Sequence, residues 1–243
     1  MIISHRYKYV FFELPMTGST AIAAELEAFY DGKQLLAKHS SPKDFMKIAS
    51  EEEKKYFMFS GIRNPLDQIV SHYYKYKSDH KQNYSGKAKP RKFGMLRRLL
   101  NRSKNKSRYN FIVKNNASFQ EYFERYYKLP YSNWSLEWHS QMDYIIRFEE
   151  LDAGFATVLQ KLGIEAKRPL PKENQTSNKK GDFWEHYPSD SLQRRAVNIF
   201  GVFMKKWEYA LPSEWAVKEP SVFSKLLFPI VHGLKSIYWK VLS

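Results

Sequence analysis

Four adjacent residues, Thr17-Gly18-Ser19-Thr20, put a glycine among three hydroxyls at the start of an Ala-rich stretch. A helix opening there leaves several backbone N–H groups without intrahelical partners and directs the positive end of its dipole outward, so a phosphate-sized anion is its natural occupant. Gly18 lets the backbone approach that anion, and the hydroxyls of Thr17, Ser19 and Thr20 can add donors. An ordinary capped helix is the plainer reading, because the Gly-Lys-Ser/Thr of a nucleotide-hydrolysing loop is absent. Arg63 and Ser71 form a second set: a guanidinium leaving a strand and a hydroxyl two turns into the next helix can share another phosphate. For Arg63 the plainer reading is an ion pair with a carboxylate or a helix end. Two such sites imply a ligand with two separated phosphate groups. His39 adds a titratable group. A lone histidine is most often structural, but this one falls at a strand-to-helix junction, where α/β folds bind ligands.

These residues need strands and helices to position them. Tyr7 to Leu14 is an aromatic and β-branched run closed by Pro15, which fits a buried parallel strand. The helix after it extends to about Tyr30. A brief apolar run, Gln34 to Ala37, suits a short second strand, and Ser41-Pro42 opens a helix to about Ser50. Tyr56 to Ile62 is the second clear strand, and Pro65 starts a helix through Lys77. Further on, Ser118 and Glu121 have the spacing of a capping box before FQEYFERYY. Helices are also expected over 152–162 and 189–207. Trp134 and Trp138 suit either a core or a sugar-stacking face. Strands alternating with helices predict an α/β domain over 1–215, with a basic insertion at about 78–116 and a separate tail over 216–243.

At 243 residues and 43% hydrophobic, the chain can bury a full α/β core, and having no cysteine it can form neither a disulfide framework nor a thiolate metal site. The first strand starts almost at Met1 with no leader ahead of it, so a cytoplasmic setting is the expectation. The net charge is +15, and Lys75 to Arg108 holds 13 Lys/Arg against one acid, Asp79. Such a segment attracts a polyanion or an anionic membrane, although for its outer part a solvated, partly disordered loop is the plainer reading. Base-stacking or groove-reading elements are not evident beyond it, so no nucleic-acid partner is expected. The tail from Pro220 is apolar with Lys225, Lys235 and Lys240, is interrupted by Pro229 and Gly233, and lacks an uninterrupted apolar run of the ~18 to 20 residues that spans a bilayer. Two short helices packed on the domain are one expectation, and membrane association through contact with an anionic surface is the other.

In order along the chain, several pieces resemble the sulfotransferases that use 3′-phosphoadenosine 5′-phosphosulfate (PAPS), particularly the carbohydrate sulfotransferase branch. Pro15-Met16-Thr17-Gly18-Ser19-Thr20 is similar to that branch's 5′-phosphosulfate loop, and Lys38-His39-Ser40-Ser41 to the step that follows. Arg63-Asn64-Pro65 with Ser71-His72-Tyr73 resembles its 3′-phosphate motif. Arg147-Phe148-Glu149-Glu150-Leu151, Leu162-Gly163-Ile164, Asn174-Gln175-Thr176, Trp184 to Tyr187 and Trp207-Glu208-Tyr209 extend the likeness over about residues 7 to 209.

The resemblance implies a P-loop-like, three-layer fold with a central, mainly parallel sheet flanked by helices. It also implies in-line transfer of a sulfuryl group from PAPS to a hydroxyl, without a metal. Thr17, Gly18, Ser19 and Thr20 would hold the 5′-phosphosulfate, and Arg63 and Ser71 the 3′-phosphate. His39 would be the general base, and Glu13 is the other candidate, read first as a residue that orients the loop or pairs with a cation. The acceptor implied is a carbohydrate, polysaccharide or glycolipid, with Tyr84, Phe93 and Tyr109 of the basic segment as stacking faces. Two positions depart from the pattern. The loop lysine is Met16, so another base such as Lys8, Lys179 or Lys180 would have to reach the site, and an arginine expected between Arg63 and Ser71 is Gln68. Met16 supports the alternative of a protein that keeps the fold and binds a nucleotide or polyanion with little or no turnover.

Overall fold

The computed structural model describes residues 1–86, 95–171 and 181–242. Phe93, the Asn174-Gln175-Thr176 loop, Lys179 and Lys180 lie outside them. In chain order the elements are β1 (Ile2–Ser4), β2 (Tyr9–Phe12), α1 (Ser19–Phe29), β3 (Lys33–Gln34), α2 (Pro42–Ile48), β4 (Phe57–Ile62), α3 (Pro65–Lys77), α4 (Met95–Lys114), α5 (Phe119–Tyr126), α6 (Ser135–Trp138), β5 (Tyr144–Arg147), α7 (Leu151–Lys161), α8 (Asp190–Lys206) and α9 (Val222–Leu242). They divide into two compact units, Met1–Asn64 with Asn133–Gln175, and Pro65–Ser132 with Thr176–Ser243.

The first unit is a five-stranded sheet flanked by helices, in the order β3-β1-β2-β4-β5. Alternation along β2 explains its unbroken apolar run: Tyr9 and Phe11 join Ile22 and Leu26 of α1 and Phe155 and Val158 of α7, while Val10 and Phe12 pack with Phe45 of α2. A strand covered on both faces has no polar side to show. The sheet is mixed rather than mainly parallel. β2, β4 and β5 pair in parallel, but β1 pairs with both β2 and β3 antiparallel. The reason is chain length: only a short turn separates Ser4 from Tyr9, enough for a hairpin and far too little for a parallel crossover. Because β2, β4 and β5 run the same way, the segments that follow Phe12, Ile62 and Arg147 emerge along one edge. Trp134 and Trp138 stack with ring centroids 5.4 Å apart; Trp138 is buried in the core and Trp134 is half-buried.

The second unit is helical. Its core joins Leu66, Val70 and Tyr73 of α3 to Ile112 of α4, Tyr122 and Phe123 of α5, Tyr187, and Phe200 of α8. The basic insertion is therefore not simply a solvated loop: residues 95–114 form a helix, whose Ile112 is buried and whose Arg108 lies over the rings of Tyr126 and Tyr127. Tyr84 packs on Tyr76 and Tyr109, at 4.6 and 6.2 Å between centroids, rather than offering an open stacking face. The tail folds as the single helix α9, with Pro229 inside it, instead of two. It docks through Ser221 N–H on Asn198 Oδ1 at 2.8 Å and His232 Nδ1 on Ser132 Oγ at 3.0 Å. Its other side leaves Phe223, Leu226, Ile230, Leu234 and Ile237 at least 60% exposed. Among the described residues no helix is long and apolar enough to cross a membrane.

Candidate functional site

The turn between β2 and α1 is built by two left-handed residues, Met16 (φ 68°) and Gly18 (φ 74°). Thr17 and Ser19, both buried, donate their hydroxyls to the Leu14 carbonyl at 3.0 and 2.9 Å. Those two side chains brace the turn from within, which differs from the expectation that they would donate outward. The physical reason is that short hydroxyl side chains at a turn find the nearest backbone acceptor first. Gly18 caps α1 through its carbonyl, which accepts from Ala21 N–H at 3.0 Å, and no side chain caps the helix start. The first N–H groups of α1 and the Thr20 hydroxyl are what the turn can offer an anion.

Close packing fixes the turn on three sides. A Cβ on Gly61 of β4 would come within 2.8 Å of Thr17 Oγ1, and one on Gly18 within 2.8 Å of Leu151 Cδ2. Arg63, 7% exposed, donates to the Met16 carbonyl at 3.2 Å and lies 3.9 Å over the Phe148 ring. At the end of the same strand, Asn64 N–H donates to Glu149 Oε1 at 2.7 Å. Gly18→Ala combines a disfavoured φ with a steric conflict. It should lower stability by about 1–3 kcal/mol, read as a lower urea midpoint at unchanged slope.

Glu13 ties the next segment to this turn. Its backbone carbonyl accepts from His39 Nδ1 at 2.6 Å. A carbonyl can only accept, so Nδ1 carries the proton and the Nε2 lone pair is the basic one in the neutral ring. Burial is the largest influence on His39 and lowers its pKa from 6.5, with neighbouring Lys38 acting in the same direction. His39 is held at φ 67°, a left-handed conformation uncommon for a residue with a Cβ. The Glu13 carboxylate is buried and committed: Oε2 accepts from the Met1 amino group at 2.7 Å and Oε1 lies 3.5 Å from Lys38 Nζ. Glu13 thus sits between these two cations. Lys38 Nζ in turn donates to Thr20 Oγ1 at 2.8 Å.

Glu13, Thr17, Gly18, Ser19, Thr20, His39 and Arg63 are thus brought together in the first unit. Ser71 belongs to the second, on α3, and is fully buried; Gln68 on the same helix accepts from Tyr131 Oη at 3.3 Å. Sequence reasoning missed Gly61, Phe148 as the guanidinium's platform, and Lys38. Lys38 adjoins a residue that was singled out, but its contact with Thr20 is made through space. Among the described residues no group of His, Asp or Glu is placed to hold a metal ion. The sequence model of a family described as "Sulfotransferase family" matches residues 1–201. No curated protein and no solved structure matches the chain.

Proposed function

The chain belongs to the sulfotransferase family, and from that premise we propose that it moves a sulfuryl group from PAPS to a hydroxyl of a carbohydrate acceptor, a polysaccharide or glycolipid. The observation that carries the reading is the turn between β2 and α1. It presents uncapped N–H groups at a helix start, has Gly18 where a side chain would collide, and has Arg63 and a neutral histidine anchored beside it. Those features fit an anionic phosphosulfate. The backbone from Thr17 to Thr20 would hold that group, Thr20 adding its hydroxyl, and Arg63 would take the 3′-phosphate by a forked contact. Ser71 remains in the proposal on its place in the motif alone. When bound, PAPS supplies the electrophilic sulfur, and His39 Nε2 takes the proton of the attacking hydroxyl.

Titration with 3′-phosphoadenosine 5′-phosphate (PAP), and release of PAP from PAPS in the presence of a panel of glycans, test the reading. A folded protein that neither binds PAP nor releases it would sink the proposal. Met16 favours a second reading, a fold that binds the nucleotide with little turnover, and binding without release is its signature. The proposed setting is the cytoplasm, with the exposed apolar side of α9 meeting an anionic membrane surface.

The base assignment predicts a pH profile. Because the His39 pKa lies below 6.5, the imidazole is neutral at pH 7, and kcat/KM should fall only on the acid side of 6.5. His39→Gln should lower kcat about 10²–10⁴-fold and remove that limb, while PAP affinity stays within about threefold. An unchanged limb in the variant would assign the base elsewhere.

A further inference from the structure

We infer that Lys38 supplies the cation that the turn lacks, contacting the 5′-phosphosulfate from the neighbouring segment; the inference rests on the PAPS reading above. From Pro15 to Thr20 there is no basic residue. Yet Lys38 Nζ reaches Thr20 Oγ1 at 2.8 Å, inside the first turn of α1. An ammonium there faces the positive end of the helix dipole, an unfavourable place for a cation alone. Glu13 Oε1, 3.5 Å from the ammonium, offsets that cost from behind, and an anion seated at the turn would meet both positive sources from the front. Glu13 maintains the arrangement from behind: its buried carboxylate lies 3.5 Å from Lys38 Nζ, and its carbonyl holds His39. One residue therefore positions both the proposed cation and the proposed base. Lys38 is 43% exposed, so an incoming ligand can meet its ammonium. Lys8, a candidate from sequence, does not compete: it precedes β2, at the end of the strand away from the turn, and pairs with Glu52 at 3.4 Å.

In the transfer step the acceptor oxygen forms its bond to sulfur as the bond from sulfur to the bridging phosphate oxygen breaks, the electron pair staying on that oxygen. Lys38 stabilises the negative charge appearing there, and His39 Nε2 takes the acceptor proton. A cation held where negative charge develops lowers the barrier to its formation.

The test compares wild type with Lys38→Met, Lys38→Arg and the double variant Met16→Lys/Lys38→Met. Two quantities are read: PAP affinity by calorimetry, and single-turnover cleavage of PAPS with water as acceptor. Lys38→Met should weaken PAP binding about tenfold and slow cleavage about 10²-fold, and Lys38→Arg should keep most of both. Returning the ammonium to the turn in the double variant should recover at least about tenfold of the lost rate. Lys38→Met with wild-type affinity and rate would overturn the assignment while leaving the PAPS reading intact. Failure of that reading shows separately, as a wild-type protein that does not bind PAP. If the wild type binds PAP but cleaves no PAPS, the affinity comparison decides.

Discussion

Arg63→Ala should lose PAP affinity by about 10²-fold or more, since a forked guanidinium–phosphate contact contributes roughly 3 kcal/mol when both hydrogen bonds are charge-assisted. The same side chain also maintains the turn. Without it the Met16 carbonyl loses a donor and Phe148 loses the guanidinium 3.9 Å above it. Those losses should lower stability by about 2–4 kcal/mol. Calorimetry separates the effects when it is run well below the variant's melting temperature, with circular dichroism confirming the fold. Arg63→Lys keeps the charge and loses the fork, so it should recover only part of the affinity. A folded Arg63→Ala protein with unchanged affinity would remove the 3′-phosphate contact from the proposal.

Acid should destabilise the protein through a residue away from the proposed chemistry. His139 is 3% exposed, and burial pushes its pKa from 6.5 down to about 3, opposed by a backbone hydrogen bond with Gly61. Between those values the unfolded chain binds a proton that the folded chain refuses, so stability rises with pH across that window. The slope is about 1.4 kcal/mol per pH unit, roughly 4–5 kcal/mol over the whole range. His39, also shifted down by burial, acts in the same direction. Urea unfolding at pH 7, 6 and 5 measures the slope before most carboxylates titrate. His139→Gln should flatten it by about one proton. Parallel slopes for wild type and variant would show that His139 accepts its proton in the folded state.

The sequence carried most of the scaffold of the site. Ser118 and Glu121 form the capping box that their spacing announces, Ser41 caps α2 ahead of Pro42 as expected, and Pro65 opens α3 where expected. β2 and β4 were legible because a strand covered on both faces is apolar throughout. β1 was not, since three residues are too few to show a period, and the short strand expected over Gln34 to Ala37 pairs instead at Lys33–Gln34 as β3. The basic stretch was read by its charge, although Lys and Arg are also good helix formers; Ile112, buried in the core, shows that this helix has an inner face. Within the site, spacing located the turn, His39 and Arg63. It could not show that Thr17 and Ser19 turn their hydroxyls inward, nor that Lys38 reaches Thr20 across 18 residues. Both depend on backbone path, and the left-handed residues Met16 and His39, which set that path, carry no mark of it in their side chains.

The interleaving of the two units gives the site an order of manufacture. Residues 1–64 emerge from a ribosome ahead of residues 65–243, carrying β2, the turn, Lys38, His39 and Arg63, and pairing β2 with β4 needs nothing further downstream. Phe148 and Leu151, which flank Arg63 and Gly18, arrive only after Pro65–Ser132 has been synthesised, and β5 must close that loop to reach β4. For that interval the nascent chain has the turn but not its side wall. Truncation before Tyr144 should therefore leave β4 with an open edge, a template for pairing with other chains, and pauses in synthesis within residues 65–132 would prolong the exposure.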